Sequence, residues 1–227
     1  GQRDMPFVRD PTTFERADYV VMEATYGDRD HEDPAAVDDL LGRIIRETVE
    51  AGGNVVIPTF AIERAQDLMF HLSHLVRSGA VPRIPVYLDS PMAREVTQAF
   101  ERHDEFLDDQ ARRLFASGES PFRFPGLTIV RTTEESKAIN FLRRPAVIMA
   151  GSGMVTGGRI KHHLAMNIGR PESTILFVGY QARDTLGRQI LEGKPEVRIH
   201  GRSLPVRARV TKINGFSAHA DRKGLAR

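Results

Sequence analysis

Asn54-Val55-Val56-Ile57-Pro58 is a short apolar run, and residues 61–78 follow it with a helical repeat of apolar positions that stops at Gly79. A second apolar run, Pro85-Val86-Tyr87-Leu88-Asp89, comes next. Runs of this length bounded by Pro, Asn and Gly read as buried strands, and apolar residues at i, i+3 and i+4 read as an amphipathic helix. Strand, helix, strand in that order predicts two parallel strands joined by a right-handed crossover.

The alternation extends in both directions. Residues 34–51 predict a helix, with Pro34 near its first turn and Gly52-Gly53 as its stop. Helical pieces are expected over about 91–103 and 104–116, then a strand at Leu127-Thr128-Ile129-Val130. A short helix over 133–142 leads to a strand at Ala146-Val147-Ile148-Met149-Ala150, a glycine-rich loop, a helix over about 157–168 and a strand at Thr174-Ile175-Leu176-Phe177-Val178. Upstream, Tyr19-Val20-Val21-Met22-Glu23 reads as a further buried strand. After about residue 180 the texture changes. Val197-Arg198-Ile199 and Pro205-Val206-Arg207-Ala208-Arg209-Val210 alternate apolar and polar residues, the mark of half-buried strands in a more antiparallel sheet. The fold class is α/β: a doubly wound, mostly parallel sheet with helices on both faces, whose two ends belong to something else.

Composition narrows the function. The 227 residues suffice for one large domain or two modest ones, and 41% hydrophobic with 27% charged residues is ordinary for a globular protein. No apolar run approaches the roughly 20 residues that span a bilayer, so no membrane association is expected. The polar start Gly1-Gln2-Arg3 does not look like a signal peptide. There is no cysteine, which excludes disulfides and thiolate metal sites and fits a cytoplasmic protein. A net charge of +2 does not announce a nucleic-acid binder, so any basic surface must come from local clustering.

In a doubly wound sheet the ligand crevice lies outside the carboxyl ends of the strands. Four loops fit that place: those beginning at Glu23-Ala24-Thr25, at Pro58-Thr59-Phe60, at Asp89-Ser90-Pro91-Met92, and Gly151-Ser152-Gly153-Met154-Val155-Thr156-Gly157-Gly158. Glycines in the last let the backbone approach an anion, with Arg159 and Lys161 just beyond. A tight turn without a ligand reads equally well, and the loop is neither a Walker loop nor a dinucleotide fingerprint. In Gly215-Phe216-Ser217-Ala218-His219-Ala220-Asp221, His219 could be a metal ligand or a general acid, while Asp221 could orient it or cap the next helix. The remaining histidines carry less. His71 and His74 are three apart on a helix, and beside Leu72 and Leu75 they read as a solvated flank rather than a metal pair. His162 and His163 cannot face one site on a helix, and His31 reads as part of a solvated acidic loop.

Taken in order, these loops resemble the β-CASP branch of the metallo-β-lactamase superfamily, the nucleic-acid-cutting two-zinc hydrolases. Val21-Met22-Glu23-Ala24-Thr25-Tyr26-Gly27-Asp28 is similar to the family's first β-CASP motif, and Gly215 to Asp221 to its second. The stretches from Ile57 to Gln66, Leu88 to Ala93 and Ser152 to Gly158 also match, and the Ser-Pro-Met-Ala form points to RNA-processing members. The resemblance implies a partial metallo-β-lactamase segment over 1–33, the β-CASP domain over 34–170, and a return to the metallo-β-lactamase part over 171–227. It implies Glu23 and His219 as the catalytic pair. Substrate-gripping residues would be Thr59, Arg64, Ser90, Met92, Ser152, Gly153, Met154, Gly157, Gly158, Arg159 and Ser217. The substrate would be single-stranded RNA, and the longer protein could pair as a homodimer. The family's principal zinc ligands have no counterpart here. The expectation is therefore a piece of a longer ribonuclease whose two zinc ions are absent from this chain, which would be inactive alone. A non-catalytic RNA-binding or scaffold relative, and a small-molecule α/β enzyme using the glycine loop, are the alternatives.

Overall fold

The structure is a computed structural model that describes residues 1–3, 5–31 and 36–226. Pro34, expected in the first helical turn, and the terminal Arg227 lie outside them. Six strands form one parallel sheet: β1 (Val55–Pro58), β2 (Val86–Asp89), β3 (Leu127–Ile129), β4 (Val147–Ala150), β5 (Thr174–Phe177) and, completing it, β8 (Arg209–Lys212). Their order is β3-β2-β4-β1-β5-β8, and every neighbouring pair is parallel. Between β5 and β8 the chain makes a separate antiparallel hairpin, β6 (Glu196–Ile199) with β7 (Arg202–Pro205). The alternating stretch expected as one strand over 205–210 is instead divided: Pro205 ends β7, residues 206–208 link the hairpin to the sheet, and Arg209 and Val210 open β8. β8 runs parallel to β5 rather than antiparallel.

Alternation of side chains on the strands divides the core in two. Val55, Ile57, Val86, Leu88, Val147, Met149 and Leu176 face one layer, built from α1 (Val37–Glu50), α2 (Arg64–Arg77), α3 (Pro91–Arg102) and the chain around Phe122 and Phe124. Val56, Ile148, Ala150, Ile175 and Phe177 face the other, where α5 (Thr133–Ile139), α6 (Ile160–Asn167), α7 (Leu186–Leu191) and the hairpin pack. The remaining helices, α4 (Asp109–Ala116) and α8 (Arg222–Leu225), lie outside this division. A period of two on strands buried on both sides produces the continuous apolar runs seen in the sequence.

Crossover hand then fixes where each helix can lie. The steps β1 to β2 and β2 to β3 move towards one edge and cross on the α1–α3 face. The steps β3 to β4, β4 to β5 and β5 to β8 move the opposite way and cross on the other face. One constant hand requires this reversal. Consequently the chains leaving the adjacent strands β4, β1 and β5 depart to opposite faces, and a crevice opens at their carboxyl ends.

The stretch from Tyr19 to Glu23 is not a buried strand. It has no strand partner among the described residues, and Tyr19 and Val21 are 94% and 100% exposed. A strand is held by its neighbour's hydrogen bonds, so its apolar content alone does not make one.

The fold predicts where substitutions act. Ile148→Ala, at a fully buried position of central strand β4, should lower unfolding free energy by about 2–5 kcal/mol in denaturant titration. Val21→Ser, on the exposed segment, should change it by less than about 0.5 kcal/mol.

Candidate nucleic-acid interface

The carboxyl-end crevice contains a cavity of about 470 Å³ lined by residues from five loops, among them Tyr26, Phe60, Arg64, Met154, Tyr180 and His219. Glu23 and His219, 196 positions apart, meet at its mouth: His219 Nδ1 is 3.2 Å from Glu23 Oε2. Local bonds set both side chains. The Thr25 backbone N–H donates to Glu23 Oε2 at 2.8 Å, and the His219 N–H donates to Ser217 Oγ at 3.2 Å. Glu23 is held below the usual carboxylate range, first by the Thr25 amide, then by the Thr25 hydroxyl and by His219, against a small desolvation cost. Because Nδ1 faces a carboxylate, it is placed to donate to Glu23, and Nε2 is the nitrogen left to meet a substrate.

Tyr26 braces this pair. Its ring is buried, hydrogen-bonded to Ser217, and lies 6.2 Å from the His219 ring and 4.9 Å from the His31 ring. Burial pushes the Tyr26 hydroxyl above its ordinary range. His31, expected in a solvated loop, instead reaches back and donates through Nε2 to the His219 carbonyl at 2.9 Å. Asp221 takes the capping role: its Oδ1 accepts the Gly224 N–H at 2.7 Å, and its Oδ2 accepts from His31 N–H at 3.2 Å.

Arg64 opens α2 beneath the cavity. Its Nη1 donates to the Val178 carbonyl at 3.1 Å, while its buried Nε has no hydrogen-bond partner among the described residues. Beside it Glu63 adopts φ of +64°, and burial raises its carboxyl pKa. Two turns further on, His71 bridges two carboxylates, Asp38 Oδ1 at 2.6 Å and Asp67 Oδ1 at 3.4 Å. This corrects the expected solvated flank for His71, whose side chain is buried between α2 and α1; His74, exposed, pairs with Asp38 Oδ2 at 2.6 Å.

The other gripping candidates lie along the rim. Thr59, Ser90 and Gly151 converge, since a Cβ on Gly151 would sit 3.6 Å from Ser90 Oγ and 3.8 Å from the Thr59 carbonyl. Ser90 caps α3 by accepting from the Ala93 N–H at 3.2 Å, which leaves Met92 exposed on the first turn. Ser152 Oγ closes the glycine loop by accepting from the N–H groups of Thr156 and Gly157, at 3.0 and 3.3 Å. Gly158 has φ of +77°, and a Cβ there would lie 2.3 Å from the Gly151 carbonyl, so only glycine fits.

A buried hub fixes this rim. Asp89 receives Arg159 Nη1 at 2.6 Å, His163 Nε2 at 2.7 Å and Ser136 Oγ at 2.5 Å. Burial raises the Asp89 carboxyl pKa, but the hydrogen bonds from His163, Ser136 and Arg159 outweigh it and hold the group ionised. Arg159 therefore spends one N–H on Asp89, and a guanidinium has four more. Arg64, Met154, Ser217 and His219 share the cavity, with Glu23 against His219; Thr59, Ser90, Met92, Ser152, Gly157, Gly158 and Arg159 form the neighbouring rim. Phe60 and Tyr180 line the cavity yet carried no signal in the sequence reading; glycines at 153 and 179, which make room for the Phe60 ring, were the available hint.

A doubly wound α/β domain with its ligand crevice at the strand carboxyl ends is the class these features define. Within it, the sequence matches the Beta-Casp domain over residues 65–190, and the chain belongs to the β-CASP family of the metallo-β-lactamase superfamily. Residues 203–227 match the Zn-dependent metallo-hydrolase RNA specificity domain. The chain is 41% identical over 225 residues to a ribonuclease of Thermus thermophilus, covering 99% of this chain and 52% of that protein. Identity to Transcription termination factor FttA of Methanosarcina mazei is 37% over 220 residues, 93% of this chain and 34% of that one. An RNase J-like protein of Methanocaldococcus jannaschii is 32% identical over 218 residues, 95% and 49% of the two chains. The chain thus spans between a third and about half of the length of these relatives. The family name implies zinc, but among the described residues no three His, Asp or Glu side chains are grouped to hold a metal ion. The residues described therefore do not fit a zinc site. Nor is any described helix long and apolar enough to cross a membrane.

The His71 bridge makes stability depend on pH. Burial alone would lower its pKa, but hydrogen bonds and charge from Asp38 and Asp67 raise it to about 9. A folded-state pKa raised above the unfolded value stabilises fully below about pH 6.5, and that stability is lost as pH rises towards 9. Denaturant unfolding across this window should show a loss on the order of 3 kcal/mol. His71→Gln should remove most of the slope; an unchanged slope would place the titration elsewhere.

Proposed function

We propose that this chain is the RNA-gripping part of a ribonuclease that hydrolyses phosphodiester bonds, supplying a Glu23–His219 pair that acts on the leaving oxygen. The observation that carries the reading is the 3.2 Å contact between these two side chains at the mouth of a cavity that also holds Arg64 and Ser217. In this reading His219 acts as an imidazolium: Glu23 accepts from Nδ1–H and orients the ring, and Nε2–H passes its proton to the oxygen that departs from phosphorus, leaving neutral imidazole. Arg64 and Arg159 hold flanking phosphates, and the loops at Thr59, Ser90 to Met92 and Ser152 to Gly158 track a single strand. Names of the relatives, a ribonuclease and an RNase J-like protein among them, support an RNA substrate. The zinc pair then belongs to parts of a longer cytoplasmic protein that this chain does not cover. Residues 1–33 and 171–227 would contribute to its metallo-β-lactamase portion and 34–170 to its β-CASP domain.

The alternative reading is an RNA-binding protein that does not cut; the lack of a metal-ligand cluster among the described residues fits both, since the first reading places the zinc pair elsewhere. The two part company in a protein that joins this segment to an intact metal-binding half. There His219→Ala should lower turnover about a hundredfold while RNA affinity stays within about twofold. Loss of affinity alone would favour the binding reading. Arg64→Ala in either case should weaken RNA binding and reduce the slope of log affinity against log salt by about one. The 227-residue chain itself should bind no stoichiometric zinc and show no metal-dependent cleavage.

A further inference from the structure

Phe60 follows β1, the strand flanked by β4 and β5, so its side chain stands where the chains from those strands part to opposite faces. Two glycines make its seat. A Cβ on Gly153, in the glycine loop after β4, would lie 2.7 Å from Phe60 Cδ2, and a Cβ on Gly179, after β5, would lie 3.0 Å from Phe60 Cε2. Any other residue at 153 would force the ring out, because real Cβ atoms do not approach a ring so closely. The two backbones thus press on one edge of the ring from neighbouring strands.

That ring is nevertheless 36% exposed and lines the cavity that His219 also lines. Tyr180, 46% exposed, lines the same cavity, with its ring set at 90° to that of Tyr26 at 6.3 Å. Exposing an aromatic ring to water while holding it in place runs against the hydrophobic effect, which favours covering it. A pinned, half-open ring gives up little conformational freedom when a flat partner settles on it, which is the physical advantage of a rigid aromatic contact. The cavity around it is mixed, with Lys212 and Asn214 among its lining residues beside the rings.

We infer that Phe60, seated on Gly153 and Gly179 in the cavity that Tyr180 also lines, is a stacking platform for one nucleobase of the bound strand, next to the Glu23–His219 pair. The inference rests on the RNA reading above and deepens it, by assigning the Phe60–Tyr180 side of the cavity to a base. Every base has a π face, so the subsite is tolerant of sequence and holds a nucleotide by shape and stacking. It also separates two tasks in one crevice: Arg64, Arg159 and the glycine loop take backbone charge, and the aromatic side of the cavity takes a ring.

The test uses the 227-residue chain and two fluorescein-labelled oligomers, a seven-residue oligoadenylate and a seven-residue ribose-phosphate chain lacking bases, in anisotropy titrations. The wild-type chain should bind the oligoadenylate at least about tenfold more tightly. Phe60→Leu, which keeps apolar bulk, should weaken oligoadenylate binding about tenfold or more and leave the abasic oligomer unchanged, and Phe60→Trp should restore it. Gly153→Ala, which displaces the ring without removing it, should repeat the selective loss. Melting temperatures near wild type for Phe60→Trp establish that the fold tolerates the site. Equal wild-type affinity for the two oligomers, or equal losses for both in Phe60→Leu, would overturn the stacking assignment while leaving the RNA reading standing. A wild-type chain that binds neither oligomer would instead overturn the RNA reading beneath it.

Discussion

The constraint on which the structure depends is the single hand of its strand–helix–strand crossovers. The chain winds towards one edge of the sheet through β1, β2 and β3, then returns through β4 to β5 and β8. One hand forces the outgoing helices onto one face and the returning helices onto the other. At β4, β1 and β5 these directions meet, and the loops leaving their carboxyl ends splay apart. Phe60, Glu63 and Arg64 sit beside the glycine loop for that reason, although Arg64 and Gly151 are 87 positions apart in the chain.

Polar chemistry is distributed over this frame in a consistent way. Two buried carboxylates and one half-buried are each met by a histidine or an arginine: Asp89 by Arg159 and His163, Asp67 by His71, and the half-buried Asp38 by His71 and His74. A buried charge persists only when partners replace the water it lost. The Asp89 and Asp38 pairs tie helices to the sheet or to each other. The Glu23–His219 pair differs, because both side chains remain substantially open to solvent. Open to solvent, set by short local bonds and lying at the cavity, it is the pair we propose to meet a substrate.

Much of this was legible in the sequence. The strand runs at Val55–Pro58, Val86–Asp89, Val147–Ala150 and Thr174–Phe177 are buried on both faces, so composition alone marked them. The Glu23 and His219 pairing was carried by a family resemblance, since nothing in spacing joins residues so far apart. Four features were not legible, for physical reasons. Tyr19 to Glu23 has strand-like composition, but strand pairing is a property of two segments and the second is not among those described. β8 was misplaced by four residues because Pro205 to Val210 alternates equally well in either position. His71 and His163 looked ordinary because their carboxylate partners come from other elements, Asp38 from α1 and Asp89 from β2. Phe60 was overlooked since an exposed aromatic residue has no periodic signature; its seat is written in Gly153 and Gly179, and only the fold brings those together.

The central claim is that a single strand of RNA lies across the carboxyl ends of β5, β1 and β4. Amide hydrogen exchange of the 227-residue chain with and without a single-stranded oligoribonucleotide measures this most directly. The account predicts slowed exchange in residues 59–64, 151–159, 178–183 and 213–219, with none in the amino-end turns at 51–54, 82–85 and 171–173. Protection confined to those amino-end turns, or spread evenly over the surface, would contradict it.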